Sequence, residues 1–196
     1  MIRCGLTGGI GSGKSMVCRI LEVMGVPVFY ADPEAKKYYR HKEVIQNIRQ
    51  LFGETVISRG EVNLKVLGKM AFSDKEVMNK LNALLHPKVM RDFALWTEKH
   101  HTAKYEVLES AIIFEAQLEK EFDYIISVYA PPQLCIQRIM QRDNLPEEEA
   151  EMRINSQYAP EKKAEMADFV IYNDEQQMLI PQLFDIHYQI LKMNSQ

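Results

Sequence analysis

The sequence predicts an α/β protein with a five-stranded parallel sheet flanked by helices. Five short apolar segments are separated by stretches whose apolar residues have helical spacing. Strands with both faces covered by helices form such continuous apolar runs. A glycine-rich turn follows the first run, because five of the nine glycines lie between Gly5 and Gly13.

The predicted elements alternate along the 196 residues. The first strand, Ile2 to Thr7, leads into the glycine turn, and a helix follows from about Lys14 to Met24. Gly25 is expected to end that helix. Residues 33–101 are expected to be mostly helical. The other predicted strands are Val26–Tyr30, Tyr105–Leu108, Tyr124–Tyr129 and Phe169–Tyr172, and the other predicted helices are Pro132–Arg142 and Glu175–Met193.

Composition narrows the class of function. With 24 basic and 27 acidic residues the net charge is −3, which argues against nucleic-acid binding through bulk electrostatics. No run of 18 apolar residues is present, so we expect no membrane span. The three cysteines lack metal-ligand spacing and suggest buried thiols in a reducing compartment. We therefore expect a cytoplasmic protein.

The glycine turn carries a phosphate-binding motif. Its residues match G-x-x-x-x-G-K-[ST], between a predicted strand and a predicted helix. Such glycines let successive N–H groups point at phosphate oxygens, and the helix N-terminus adds its positive dipole end. The lysine can reach the β and γ phosphates, and the hydroxyl after it can bind Mg²⁺. The candidate nucleotide-binding residues here are Gly8, Gly9, Ile10, Gly11, Ser12, Gly13, Lys14, Ser15 and Met16.

Three classes of phosphate-loop protein compete. A guanine-nucleotide switch needs a D-x-x-G segment, and no Asp in this chain is followed three residues later by Gly. A transporter ATPase would carry an LSGGQ-like signature, which is also absent. A kinase needs an acceptor site, a base and mobile cations. Two insertions, residues 33–101 and 143–166, could supply the acceptor site and the cations. The loop itself predicts binding of a nucleoside triphosphate with Mg²⁺.

Asp32 is the candidate base, because it follows the second predicted strand and should lie at the same sheet edge as the loop. The alternative is that Asp32-Pro33 only opens the next helix. Arg138 and Arg142 are four residues apart and could neutralise a transferring phosphoryl group. The alternative for them is a solvated helical face.

The chain resembles the dephospho-coenzyme A kinase family almost from end to end. The resemblance lies in three kinds of segment: the loop context, L-N-x-x-x-H-P, and Q-R-x-x-x-R-D. The matching residues run Gly5–Ser15, Ala31-Asp32, Leu81–Pro87, Ile112–Glu115, Gln137–Asp143, Gln157 and Ala167–Asn173.

This resemblance implies phosphorylation of the ribose 3′-hydroxyl of dephospho-CoA by ATP, the last step of coenzyme A synthesis. It implies Asp32 as general base and Arg142, with Arg138, over the ATP phosphates. It also implies a nucleotide-binding core of residues 1–32, 102–142 and 167–196. Residues 33–101 would then form a helical CoA-binding insertion and residues 143–166 a lid. His86 would line the acceptor site, or would simply precede Pro87 at a helix bend.

The chain departs from the family pattern in four places. Tyr30 replaces the first Asp of Asp-Ala-Asp, and Lys65 stands near the place of a family arginine. Met16 replaces the usual Thr, which leaves Ser15 as the one loop hydroxyl after the lysine. Glu109 replaces an Asp at a strand end and is a second candidate for Mg²⁺ binding. A kinase for another small acceptor and a nucleotide-dependent regulatory protein remain the alternatives.

Overall fold

A computed structural model describes residues 1–193. Seven strands and nine α-helices lie in this part of the chain. The strands are β1 (Ile2–Thr7), β2 (Val28–Tyr30), β3 (Ile57–Ser58), β4 (Glu61–Val62), β5 (Tyr105–Glu109), β6 (Tyr124–Tyr129) and β7 (Phe169–Tyr172). The helices are α1 (Lys14–Val23), α2 (Ala31–Tyr38), α3 (Lys42–Phe52), α4 (Leu64–Ser73), α5 (Lys75–Glu98), α6 (Pro132–Asp143), α7 (Glu147–Asn155), α8 (Pro160–Met166) and α9 (Leu179–Met193).

Five strands form one parallel sheet in the order β2-β5-β1-β6-β7. The predicted five-stranded parallel sheet flanked by helices is thus confirmed. β1 is central, with Leu6 opposite Glu109 of β5 and Thr7 opposite Ser127 of β6. Because ligands bind beyond the carboxyl ends of parallel strands, the loop after Thr7 lies where a site is expected.

The chain divides into two compact units, residues 1–30 with 96–196 and residues 31–95. The first unit contains the sheet, whose core packs side chains of β1, β5, β6 and β7 against α1 and α9. Members of this core include Cys4, Leu6, Val17, Leu21, Val107, Ile126, Ile171, Leu183 and Ile190. All three cysteines are buried in this unit.

The second unit is mostly helical, as predicted, but it also contains the β3–β4 hairpin, which the helical prediction for residues 33–101 missed. Its two turn residues, Arg59 and Gly60, both have positive φ, 52° and 82°. Such turns match the twist of paired strands. Inside this unit the Tyr38 hydroxyl donates to an Asp92 carboxylate oxygen at 2.5 Å.

Several predicted boundaries were wrong by a few residues. β2 begins at Val28 instead of Val26, because Pro27 between them has no N–H to donate to a neighbouring strand. α9 begins at Leu179 instead of Glu175, because the Asp174 carboxylate accepts from the backbone N–H groups of the next residues and holds a turn there. Within residues 1–193, no helix combines the length and apolar character needed to cross a membrane.

Candidate active site

The glycine loop curls between the carboxyl end of β1 and the N-terminus of α1. The Ser12 N–H donates to the Gly9 carbonyl at 3.1 Å, which closes a tight turn inside the motif. Gly11 has φ of 83°, and a Cβ there would lie 2.7 Å from the Cys135 carbonyl oxygen. The loop therefore packs directly on α6, at a distance that only glycine permits.

Lys14 is folded back over the loop that precedes it. Its Nζ donates to the Gly8 carbonyl at 3.0 Å and to the Gly9 carbonyl at 3.3 Å. The side chain is only 9% exposed, and Nζ lies 3.9 Å from Glu109 Oε1 at the end of β5. The structure thus brings together the predicted lysine, the loop and the predicted carboxylate.

Asn173, just after β7, supports the outside of the loop. Its Nδ2 donates to the Ser12 carbonyl at 2.7 Å. Arg138 on α6 donates to the Asn173 carbonyl at 3.3 Å and to the Gly11 carbonyl at 3.4 Å, and pairs with Glu175 at 3.2 Å. Arg138 therefore holds the loop backbone to the end of β7.

Gln157, between α7 and α8, reaches the inside of the motif. Its Oε1 accepts from the Ile10 N–H at 3.0 Å. The next residue, Tyr158, donates its own N–H to Glu115 Oε1 at 2.8 Å. The segment between the two helices is thus fixed at two points.

A buried ion pair lies beside this segment. Lys163 of α8 is 0% exposed, and its Nζ lies 2.8 Å from Glu115 Oε1. The same Nζ donates to the Ala111 carbonyl at 2.5 Å. Burial lowers the pKa of Lys163, the Glu115 charge opposes that shift, and the Lys14 charge adds to it.

A family model described as dephospho-CoA kinase matches residues 2–178. The chain belongs to the dephospho-CoA kinase family. A dephospho-CoA kinase of Bacteroides fragilis is 41% identical over 186 residues, which cover 94% of this chain and 91% of that protein. One of Listeria monocytogenes is 39% identical over 175 residues, covering 87% of this chain and 88% of that protein.

Solved structures agree with this membership. A crystal structure from Thermus thermophilus is 31% identical, with a TM-score of 0.79, and the match covers 98% of this chain and 97% of that one. A dephospho-CoA kinase from Campylobacter jejuni is 26% identical, with a TM-score of 0.65, and covers 98% of both chains. A shikimate kinase from Bacteroides thetaiotaomicron, 12% identical with a TM-score of 0.54, shares the fold.

The other predicted site residues of this dephospho-CoA kinase family member lie in different settings. Arg142, at the end of α6, is 63% exposed and pairs with Asp143 at 2.7 Å, so its guanidinium is turned toward that carboxylate. Ser15 and Met16 are exposed in the first turn of α1, where the Met16 N–H donates to the Gly13 carbonyl at 3.0 Å.

In the second unit, Asp32 is exposed in the first turn of α2. His86 is half-buried on α5, directly before Pro87 inside the helix. Burial lowers the pKa of His86, so the imidazole is predominantly neutral at pH 7.

Sequence reasoning alone gave no role to four residues that build this site. Glu115, Gln157 and Asn173 stand in segments that resemble the dephospho-CoA kinase family, and that resemblance was their only signal. Lys163 had no signal, because it sits in a run of charged residues that predicts a solvated face.

Proposed function

We propose that this chain transfers the γ-phosphoryl group of ATP to the ribose 3′-hydroxyl of dephospho-CoA, giving coenzyme A and ADP. The observation that carries the proposal is Lys14, whose Nζ is held against the carbonyls of a complete phosphate loop in a chain of the dephospho-CoA kinase family. The 3′-oxygen forms a bond to the γ-phosphorus while the bond to the β,γ-bridging oxygen breaks.

The loop and its lysine supply electrostatic positioning. Phosphoryl transfer needs little covalent chemistry from the protein, so oriented N–H donors and a fixed ammonium group carry most of the acceleration. Asp32 accepts the proton of the attacking hydroxyl. In support of that role, it lies two residues after Tyr30, the last residue of β2, which pairs with Glu109.

Ser15 and Glu109 are the residues that would hold Mg²⁺ together with the nucleotide. Hydroxyl and carboxylate oxygens are ligands that Mg²⁺ accepts, usually beside substrate phosphates. Glu109 is 8% exposed and its carboxylate lies in the region of Lys14. When bound, the ion neutralises charge on the β and γ oxygens.

The two insertions take separate parts in this proposal. Residues 33–101 bind the CoA portion of the acceptor, with half-buried, neutral His86 as a lining group. Residues 143–166 act as a lid that excludes water. Arg142 turns from Asp143 to the phosphates, and Arg138 holds the loop beside it. We also propose a cytoplasmic setting, which three buried thiols suit.

The test is the rate of ADP release with Mg-ATP, with and without dephospho-CoA. AMP, CMP, shikimate and pantothenate serve as control acceptors. We expect strong stimulation by dephospho-CoA alone. Stimulation by another acceptor would keep the fold and reject the substrate, and ATP binding without any stimulation would favour a regulatory protein.

A further inference from the structure

The contact between Gln157 and Ile10 fixes the orientation of a carboxamide inside the phosphate loop. A backbone N–H can only donate, so the group that faces Ile10 at 3.0 Å must be the oxygen Oε1. The nitrogen Nε2, with two N–H donors, is then directed away from Ile10. Gln157 therefore keeps two N–H donors for a group other than the Ile10 backbone.

The position of Ile10 indicates which phosphate these donors meet. Lys14 Nζ, which in such loops reaches the β and γ phosphates, contacts the carbonyls of Gly8 and Gly9. Because Ile10 follows these two residues directly, its N–H and the carboxamide bound to it would face the β,γ end of a bound nucleotide.

We propose that Gln157 binds the terminal phosphate of ATP through Nε2, and that the Glu115–Lys163 pair positions it. This inference rests on ATP being the phosphate donor in the proposed function. No bond is made or broken by Gln157, whose part is to distinguish a nucleoside triphosphate from the diphosphate product.

The positioning follows from a short chain of contacts. Glu115 Oε1 accepts a hydrogen bond from the Tyr158 N–H at 2.8 Å and pairs with Lys163 Nζ, also at 2.8 Å. Tyr158 directly follows Gln157, so the backbone that carries the carboxamide cannot shift without disturbing this buried pair. Since Lys163 also donates to the Ala111 carbonyl, α8 and the segment after β5 hold Gln157 between them.

The experiment compares equilibrium binding of two ligands, ADP and a non-hydrolysable β,γ-imido analogue of ATP, by calorimetry with Mg²⁺. Gln157→Glu keeps an oxygen for Ile10 but replaces the donors with a negative charge. We expect it to weaken analogue binding by about tenfold or more, and ADP binding by no more than about threefold. Gln157→Met, whose side chain has no donor, should also lower the ratio of analogue affinity to ADP affinity.

The matched control is Gln189→Glu, an equal charge change at an exposed position of α9. It should leave both affinities unchanged. The positioning step is tested with the double variant Glu115→Leu/Lys163→Met, which removes both buried charges together. We expect the ratio of analogue affinity to ADP affinity to fall as it does in Gln157→Met. An unchanged ratio would reject the positioning role of the Glu115–Lys163 pair.

Equal weakening of both ligands in Gln157→Glu, or no weakening, would overturn the inference. Neither ligand requires an acceptor, so this result is separate from the test of the proposed function. If dephospho-CoA fails to stimulate ADP release while the ratio still changes, the acceptor is wrong and the role of Gln157 stands.

Discussion

Asn173 occupies the space that a side chain on Gly13 would need. A Cβ built on Gly13 meets Asn173 Nδ2, the same nitrogen that donates to the Ser12 carbonyl at 2.7 Å. Gly13 also has φ of 96°, which disfavours any residue with a Cβ. Asn173, just after the end of β7, therefore packs against the phosphate loop at a position where only glycine leaves room for it.

Gly13→Ala should lower the free energy of unfolding through both the backbone conformation and the clash. The matched control is Gly25→Ala, because Gly25 has φ of 82° but nothing within 4 Å of the Cβ position. We expect a loss of about 1 kcal/mol in the control and a further 1–3 kcal/mol, roughly, in Gly13→Ala. Urea unfolding measures both, and equal losses would mean that Asn173 simply moves aside.

Lys14→Met should abolish most of the transfer activity. The methionine fills similar space but provides no ammonium group beside the γ-phosphate, so kcat/KM should fall by about 10²–10³. Steady-state kinetics with saturating dephospho-CoA measures the effect. Lys120→Met, at an exposed position, is the control and should retain full activity. Near-normal turnover of Lys14→Met would reject the loop assignment.

Asp32→Asn should depress kcat far more than it raises the KM for ATP. A base acts in the transition state, so its loss appears in the chemical step; general-base catalysis typically contributes about 10²–10⁴-fold. Glu34→Gln, in the same helix and paired with Lys37, is the control. A variant whose only defect is weaker ATP binding would make Asp32 a structural or magnesium-site residue.

Lys163→Met should destabilise the protein strongly because it removes the cation from Glu115, whose side chain is only 14% exposed. Breaking one side of a buried pair typically costs about 3–5 kcal/mol, whereas replacing both sides with apolar residues is often close to neutral. The double variant Glu115→Leu/Lys163→Met should therefore unfold at a higher urea concentration than Lys163→Met. The reverse order would show that the pair is not coupled.

Glu106 should make stability depend on pH. It is 0% exposed in β5, where Thr97 Oγ1 lies 2.7 Å from Oε1, and burial raises the pKa of its carboxyl above 4.5. When folding raises the pKa of a carboxyl group, that group stabilises the folded state at pH below its unfolded-state pKa. This stabilisation is lost as pH rises through the folded-state pKa.

Glu106→Gln removes this titration. The free energy of unfolding of the parent, relative to Glu106→Gln, should therefore fall as pH is raised above 4.5, the ordinary glutamate value. Urea unfolding at a series of pH values measures the difference. A difference that does not vary with pH would show that Glu106 has the same pKa folded and unfolded.

Much of the fold could be predicted because the sheet leaves a simple signal in sequence. Each of the five parallel strands is a short apolar run, and the loop motif after β1 predicts where nucleotide phosphates bind. The β3–β4 hairpin could not be predicted in the same way, since two-residue strands are too short to show an alternating pattern. Its only signal was Gly60 in the turn.

The supporting contacts of the site were harder to predict than its motif. Lys163 and Glu115 are 48 positions apart, and nothing local distinguishes Lys163 from its exposed neighbour Lys162. Only the packing of α8 decides which of the two lysines is enclosed. Arg142 illustrates the opposite case, because its sequence context points to the phosphates while its guanidinium pairs with Asp143.

The central position of β1 also determines when the nucleotide site can form during synthesis. β1 leaves the ribosome before its neighbours β5 and β6, which begin only at Tyr105 and Tyr124. Both edges of β1 therefore stay unpaired in the nascent chain until β5 has been translated. Such non-local pairing slows folding and exposes apolar strands to association. Residues 31–95 form a compact unit of their own and can fold during that wait.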